Sequence, residues 1–171
     1  MKIFAIDPGT TQSAWLVYDT ETRKPIVWAK EVNAAIFMRI VEFVELDKLA
    51  IEMVGHYGTG MPAGKEVFFT CLWIGRYIQY WKDRGYPLEK DSVRLILRKS
   101  ICAHMCGSAR AKDPNIRRAI IDRYGIDEKE VIGRKKEPGP LYGMSGDAWS
   151  AMAVALTCAE TDAAEGTEVT E

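Results

Sequence analysis

The stretch that decides the fold lies at the start of the 171-residue chain and reads KIFAIDPGTT over residues 2–11. Its apolar and β-forming residues predict a strand, which the following Asp-Pro-Gly ends in a turn. Because side chains alternate across a strand, Asp7 shares a face with Ala5 and Ile3. A carboxylate on an otherwise apolar face lowers stability, so we expect Asp7 to serve the function of the protein.

The pattern downstream predicts alternating helices and strands. The predicted elements are strands over residues 13–18, 25–30, 48–53 and 93–97, helices from Asn33, over about 66–84 and over 113–124, and a last helix capped by Ser145 and rich in alanine on one face. The first three strands form a meander, and each later strand follows a helix, which implies parallel pairing. This is the order of an RNase H-like fold, an α/β fold with a mixed five-stranded sheet flanked by helices.

Length and composition predict one globular domain. At roughly 100–200 residues per domain, 171 residues suit a single unit. With 47% hydrophobic and 27% charged residues, the chain is unlike a disordered or membrane-spanning protein. We assign residues 1–159 to the domain and expect 160–171, which has five acids and no base, to be a disordered tail. With no signal-peptide pattern and no membrane span, we expect a cytoplasmic protein with no membrane partner.

The cysteines predict no disulfide framework. All four have apolar neighbours in a chain large enough to fold without cross-links, so we interpret them as reduced thiols. Cys102, His104 and Cys106 have the residue types of a zinc site, but the fourth ligand is missing. Ordinary buried thiols are the simpler interpretation.

Charge is distributed unevenly along the chain. The net charge is −1, yet residues 93–136 carry twelve basic and five acidic residues, which gives +7 and leaves −8 for the remainder. A segment of this charge is typical of a surface that binds phosphates. The neutral total therefore does not exclude a nucleic-acid partner.

Three acids follow or precede elements that the fold would bring together. Glu52 closes the predicted strand 48–53 as Asp7 closes the first, and parallel neighbours would place the two acids roughly 5 Å apart at one rim of the sheet. Asp147 lies in the first turn of the alanine-rich helix, where the helix dipole favours negative charge. Carboxylates of this kind suit Mg²⁺ or Mn²⁺, and two such ions can stabilise both oxygens of a phosphodiester exchange.

Five motifs together resemble the RuvC family of Holliday-junction resolvases, especially its phage-borne branch. They are IFAIDPGTT at 3–11, AIE at 50–52, CGSARAKD at 106–113, NIR at 115–117 and GDAWSAMAVA at 146–155. The resemblance covers roughly residues 1–157. It implies an RNase H-like fold, a homodimer and metal-dependent cleavage of four-way DNA junctions, in the cytoplasm of a bacterium or a phage-infected host.

The resemblance also implies site residues. Asp7, Glu52 and Asp147 fall on the metal-binding and catalytic acids of the family, which implies two Mg²⁺ ions per active site, replaceable by Mn²⁺, and no nucleotide cofactor. The family's usual fourth acid is replaced by Ser150, which is a poor direct ligand but can hold a metal through a water. Either the three acids suffice to bind the metal ions, or another residue such as Asp162 or His104 contributes a ligand.

The predicted DNA-binding residues lie in the basic segment and in one loop. They are Arg110, Lys112, Arg117, Arg118, Arg134, Lys135, Lys136 and Tyr57. Tyr57, or its neighbour His56, can stack on an unpaired base at a junction. The rings of Trp73, Tyr77, Tyr80 and Trp81 face several sides of their helix, which leaves open a dimer interface or simple core packing.

Other functions remain open at this point. Sugar kinases and actin-like ATPases share the first loop but need two such lobes, and this length holds one. An RNase H or a flap nuclease would use the same fold and acids. A junction-binding protein that has lost catalysis is the third alternative, and Ser150 is the residue that favours it.

Overall fold

The computed structural model describes residues 1–43, 45–55, 64–85 and 92–168, with side chains to residue 165. The strands are β1 Lys2–Asp7, β2 Gln12–Asp19, β3 Lys24–Val32, β4 Lys48–Met53, β5 Val93–Leu97, β6 Gly133–Arg134 and β7 Glu137–Pro138. The helices are α1 Asn33–Glu42, α2 Lys65–Asp83, α3 Arg98–Cys106, α4 Asp113–Tyr124, α5 Glu128–Ile132 and α6 Ala148–Glu168. Within this part of the chain, no helix is both long and apolar enough to cross a bilayer.

The main sheet has five strands in the order β3-β2-β1-β4-β5. The first three strands pair antiparallel, and β1, β4 and β5 pair parallel. The predicted mixed sheet, with a meander followed by parallel strands, is therefore confirmed. The parallel pairing of β1 with β4 places the ends of both strands, with Asp7 and Glu52, at the same rim.

The two faces of the sheet carry separate apolar cores, as the alternation along β1 requires. Ile3 and Ala5 pack with α6, whereas Phe4 and Ile6 pack with α1 and α2. The alanine-rich face of α6 is fully buried at Ala151 and Ala155, as predicted. Small side chains at these positions let α6 approach the sheet closely.

The aromatic residues of α2 belong mainly to the second core. Tyr77 and Trp81 are fully buried, and the rings of Trp73 and Tyr80 pack against Phe37 of α1. Of the two interpretations that the sequence left for these four rings, a dimer interface or core packing, the structure thus supports core packing. Three other large apolar side chains of α2 are exposed: Phe68, Phe69 and Leu72.

The structure differs from the predicted elements in two respects. Residues 98–106 and 128–132 are helices, α3 and α5, that no sequence pattern predicted. The predicted cap residues also differ: Val32 precedes α1 and Lys112 precedes α4, so Asn33 and Asp113 are first helical residues. Gly125 ends α4 as predicted.

The acidic segment from residue 160 does not begin a disordered tail, because α6 continues through Glu168. Its acids pair with basic residues of the domain: Glu160 with Arg123 and His104, Asp162 with Lys48, and Glu165 with Arg94. These partners lie far away in sequence, so charge composition alone could not reveal them. Residues 169–171 lie outside the described part of the chain.

Candidate active site

A row of side chains crosses four strands at one rim of the sheet. Asp7 pairs with Ala14 of β2, and Ala14 pairs with Lys30 of β3, so all three lie on the face that α6 covers. On the other side, Asp7 and Glu52 directly follow Ile6 and Ile51, the last register pair of β1 and β4. The predicted convergence of Asp7 and Glu52 therefore follows from the strand register.

The third acid enters this rim from the N-terminus of α6. Asp147 directly precedes the helix, and its backbone carbonyl accepts hydrogen bonds from the amides of Ser150 and Ala151. It was predicted inside the first turn, but it occupies the cap position, after Gly146 in left-handed conformation (φ 52°). One turn into the helix, the Ser150 hydroxyl donates a hydrogen bond to the Asp7 carboxylate.

The acids influence one another electrostatically. Burial, followed by the charges of Glu52 and Asp147, raises the pKa of Asp7 to about 7, although Arg98 and the Ser150 hydrogen bond oppose the rise. Burial also raises the pKa of Glu52, and the charge of Arg98 opposes this shift. Three carboxylates from β1, β4 and the start of α6 thus share one site, and Asp7 lies at its centre.

Two basic side chains flank the acids, and sequence reasoning missed both. Lys30 Nζ lies 2.6 Å from Asp147 Oδ2, and Arg98 Nη1 lies 3.2 Å from Glu52 Oε2. Arg98 also pairs with Asp113 at the start of α4. The available signals were positional: Lys30 ends a predicted strand of the meander, and Arg98 directly follows the predicted strand 93–97.

The loop after Asp7 is fixed by a buried polar network. The Asn33 amide donates to the Gly9 carbonyl at 3.0 Å, and the Ser13 hydroxyl donates to Asn33 Oδ1 at 2.7 Å. The Tyr77 hydroxyl lies 3.3 Å from Ser13 Oγ, and burial raises the pKa of Tyr77 to about 12. Asn33 was predicted to cap α1, but the structure uses its side chain to hold this loop.

An open pocket of about 360 Å³ lies over two of the acids, Asp7 and Asp147. It is lined by Asp7, Asp147, Lys30, Ala14 and residues 8–12. Gly9 is required at its edge, because a Cβ at that position would lie 2.3 Å from the Gln12 carbonyl oxygen. The pocket therefore combines carboxylate oxygens, an ammonium group and a tightly turned backbone.

The donor set fits a hard divalent cation, because it consists of carboxylate and hydroxyl oxygens. Within the described ranges, however, no three acidic, histidine or cysteine side chains are grouped closely enough to hold a metal ion. Asp147 and Glu52 are turned towards Lys30 and Arg98. The residue types fit Mg²⁺ or Mn²⁺, and the carboxylates would have to reorient to bind either.

The two alternatives to Ser150 as a fourth ligand lie elsewhere. Asp162 pairs with Lys48, about four turns beyond Asp147 along α6. His104 Nε2 lies 2.6 Å from Glu160 Oε2. All four cysteines are free, and Cys102 donates to the Ala111 carbonyl. Neither Asp162 nor His104 contacts Asp7, Glu52 or Asp147 in these interactions.

The predicted DNA-binding residues divide into two groups. Within the described residues, no acidic side chain pairs with Arg110, Lys112, Arg134, Lys135 or Lys136, and all five are exposed. Arg134, Lys135 and Lys136 form the β6–β7 hairpin with Glu137, its two-residue tip being Lys135 and Lys136. Tyr57 and His56 lie outside the described residues.

Arg117 and Arg118 are engaged with the protein itself. The Arg117 guanidinium lies 5.1 Å from the Trp149 ring centre and 2.6 Å from Glu128. Arg118 pairs with Asp122 one turn along α4. These contacts hold α4 and α5 against the start of α6, close to Asp147.

Two solved structures are similar to this chain over nearly its whole length. RuvC of Thermus thermophilus in complex with a Holliday junction substrate has 16% sequence identity, covers 92% of both chains and has a TM-score of 0.64. A second structure of Thermus thermophilus RuvC has 15% identity, the same coverage and a TM-score of 0.62. The chain has the RuvC fold.

The similarity to these two structures confirms the fold that the sequence motifs implied. At 15–16% identity it establishes the fold alone. No protein-family model matches the sequence, and no curated protein does. Within the RuvC fold, the acids at the ends of β1 and β4 and at the start of α6 form the candidate active site of this protein.

Because the pKa of Asp7 is raised, its ionised carboxylate should lower the stability of the fold, and a neutral amide at this position should remove that cost. The fold holds the Asp7 proton up to about pH 7, whereas an unfolded chain releases it near pH 4. Stability is therefore lost as pH rises from about 4 to about 7, and the loss persists above that range. In EDTA at pH 8, Asp7→Asn should raise the melting temperature by several degrees, and the gain should shrink at pH 5.

Thermal unfolding of both proteins at the two pH values measures this effect. The matched control is Asp83→Asn, an exposed acid at the end of α2 that should change neither melting temperature. A lower melting temperature for Asp7→Asn at pH 8, or an equal gain at both pH values, would contradict the electrostatic crowding of Asp7.

Proposed function

We propose that this protein is a metal-dependent endonuclease that resolves four-way DNA junctions and related branched DNA. The observation that carries the proposal is the convergence of Asp7, Glu52 and Asp147 at one rim of a RuvC fold. One of the similar structures is a RuvC bound to a Holliday junction substrate. Cleavage would hydrolyse a phosphodiester and leave a 5′-phosphate and a 3′-hydroxyl.

The residues have separate proposed roles at this rim. Asp7, Glu52 and Asp147 would hold two Mg²⁺ or Mn²⁺ ions, with Asp7 shared between them. Bound ions of this kind stabilise charge on the attacking and leaving oxygens of the phosphate. Ser150 would orient the Asp7 carboxylate through its hydrogen bond, so that a neutral hydroxyl stands at the position of the usual fourth acid.

The basic surface supports DNA as the substrate. Arg98 connects Glu52 to Asp113, which places the exposed Lys112, the neighbour of Asp113, near the acidic rim. We propose that Lys112 contacts a phosphate close to the scissile bond and that Arg110 and the β6–β7 hairpin contact phosphates further away. Arg117 and Arg118 would contribute positive charge while holding α4 in place.

We also propose that two copies associate through α2. Phe68 and Leu72 are exposed, one helical turn apart, on the side of α2 opposite the buried Ile74 and Tyr77. Gly75 continues this side, and a Cβ there would have no neighbour within 4 Å, so a second helix can approach closely. The family resemblance implies a homodimer, so the partner that would cover this surface is a second copy of the chain.

The cleavage proposal predicts that neutralising the acids abolishes hydrolysis. Asp7→Asn, Glu52→Gln and Asp147→Asn should each lower the junction cleavage rate at least about a hundredfold, because each removes a charged oxygen ligand. Junction affinity should be retained. Labelled four-way junction, flap, RNA–DNA hybrid and linear duplex, each in Mg²⁺ and in Mn²⁺, serve as substrates, and Asp83→Asn is the matched control.

Each alternative function gives a distinct result in this assay. Full activity of Asp7→Asn would contradict the acidic site. Preferential hydrolysis of the hybrid or the flap would assign the protein to those nuclease classes. Junction binding without cleavage in either metal would identify a binding protein that has lost catalysis.

The hairpin proposal predicts a salt-dependent loss of affinity. Lys135→Glu combined with Lys136→Glu should weaken junction binding and reduce the steepness of the negative slope of log affinity against log salt by about two, because roughly one counterion is released per phosphate contact. Fluorescence anisotropy at several salt concentrations measures the slope. Lys24→Glu, at the opposite end of β3 from the acids, is the control, and an unchanged slope in the double variant would exclude the hairpin from the interface.

The dimer proposal predicts that a charge on the α2 surface separates the copies. In sedimentation equilibrium at micromolar concentration, the wild-type protein should be a dimer and Leu72→Glu a monomer. The variant would bury an unpaired carboxylate between the two helices. Ile126→Glu, which replaces an almost fully exposed side chain between α4 and α5, should leave the dimer intact. A monomeric wild-type protein would refute the proposed association.

A further inference from the structure

Lys30 reaches the acidic rim by a route that the sheet itself provides. It lies on the edge strand β3 and pairs with Ala14, which in turn pairs with Asp7. Because the Ala14 side chain is a single methyl group, the long Lys30 side chain can extend over it towards the start of α6. There its ammonium group forms the 2.6 Å ion pair with Asp147.

Lys30 and Arg98 flank the acids in different ways. Arg98 is held between Glu52 and Asp113 and is mostly buried, so two acids and the surrounding protein fix its position. Lys30 pairs with one acid within the described residues, and both members of that pair are half exposed. Of the two cations, Lys30 is therefore the one whose contact can be exchanged at low cost.

The contact with Lys30 conflicts with metal binding by Asp147. An ammonium group at 2.6 Å occupies the carboxylate oxygen that would otherwise face a cation, and two positive groups at one carboxylate repel each other. Ser150 cannot compensate, because it supplies a hydroxyl rather than a fourth carboxylate. Lys30 thus competes with the proposed metal ion for the Asp147 carboxylate.

We propose that Lys30 is an exchangeable counter-ion that a divalent cation displaces from Asp147. In this role Lys30 is a positioning residue: it holds Asp147 in the metal-free protein and sets the affinity of the site for the cation. The inference rests on the proposed function, since it takes the three acids as the metal ligands.

Mn²⁺ binding by calorimetry on the full chain tests this directly. Lys30→Gln, which keeps much of the length but not the charge, should bind Mn²⁺ about two- to fivefold more tightly than wild type, the range expected when a half-exposed ion pair is removed. Lys30→Arg should restore the wild-type affinity. Lys24→Gln, at the far end of the same strand, should leave the affinity unchanged.

A double-variant cycle separates displacement from general electrostatics. If Lys30 acts through Asp147, the gain from Lys30→Gln should disappear in an Asp147→Asn background, where the ion pair is already absent. A gain of equal size in both backgrounds would show that Lys30 acts only through long-range charge and would overturn the inference.

The two proposals fail in distinguishable ways. If wild type binds Mn²⁺, Asp147→Asn weakens binding and Lys30→Gln binds as wild type does, the Lys30 inference alone is refuted. If neither wild type nor Lys30→Gln binds Mn²⁺ up to millimolar concentration, the metal-dependent function and the inference are refuted together. Melting temperatures in EDTA confirm that each variant is folded.

Discussion

Carboxylates that end two adjacent parallel strands on the same face must be neutralised, and this constraint shapes one whole end of the molecule. Asp7 and Glu52 are brought together by the register of β1 with β4, and Asp147 adds a third negative charge from α6. Three unbalanced carboxylates in a partly buried site would be strongly destabilising. The fold responds by holding a proton on Asp7 to higher pH and by placing Lys30 and Arg98 on either side.

The apolar packing serves the same end of the molecule. Small residues such as Ala151 and Ala155 bring α6 close to the sheet, so that its N-terminus carries Asp147 and Ser150 to the rim. On the opposite face, the buried Asn33 at the start of α1 holds the Gly9 carbonyl, which fixes the turn after Asp7. The two cores thus position the acids from both sides of the sheet.

The order of the strands in the sheet and the positions of two acids at its rim could be predicted from the sequence, because both depend on local patterns. Strand alternation and the acids that close apolar runs identify β1, β4, Asp7 and Glu52 without knowledge of the partners. Lys30 and Arg98 could not be recognised in this way, since their importance depends on strand order and side-chain reach across it. The same holds for the acids of α6 from residue 160 onward, whose basic partners are 37 to 114 positions away.

The balance of charge at the rim has a consequence for how the proposed ligands would bind. Once all three acids are ionised, Lys30 and Arg98 leave them an excess of about one negative charge, less than an acid in place of Ser150 would give. A site so nearly balanced attracts a divalent cation weakly by itself. A DNA phosphate adds negative charge at the same place, so it would strengthen cation binding, and by linkage the cation would strengthen phosphate binding equally. With serine at this position, metal and DNA are expected to bind cooperatively rather than independently.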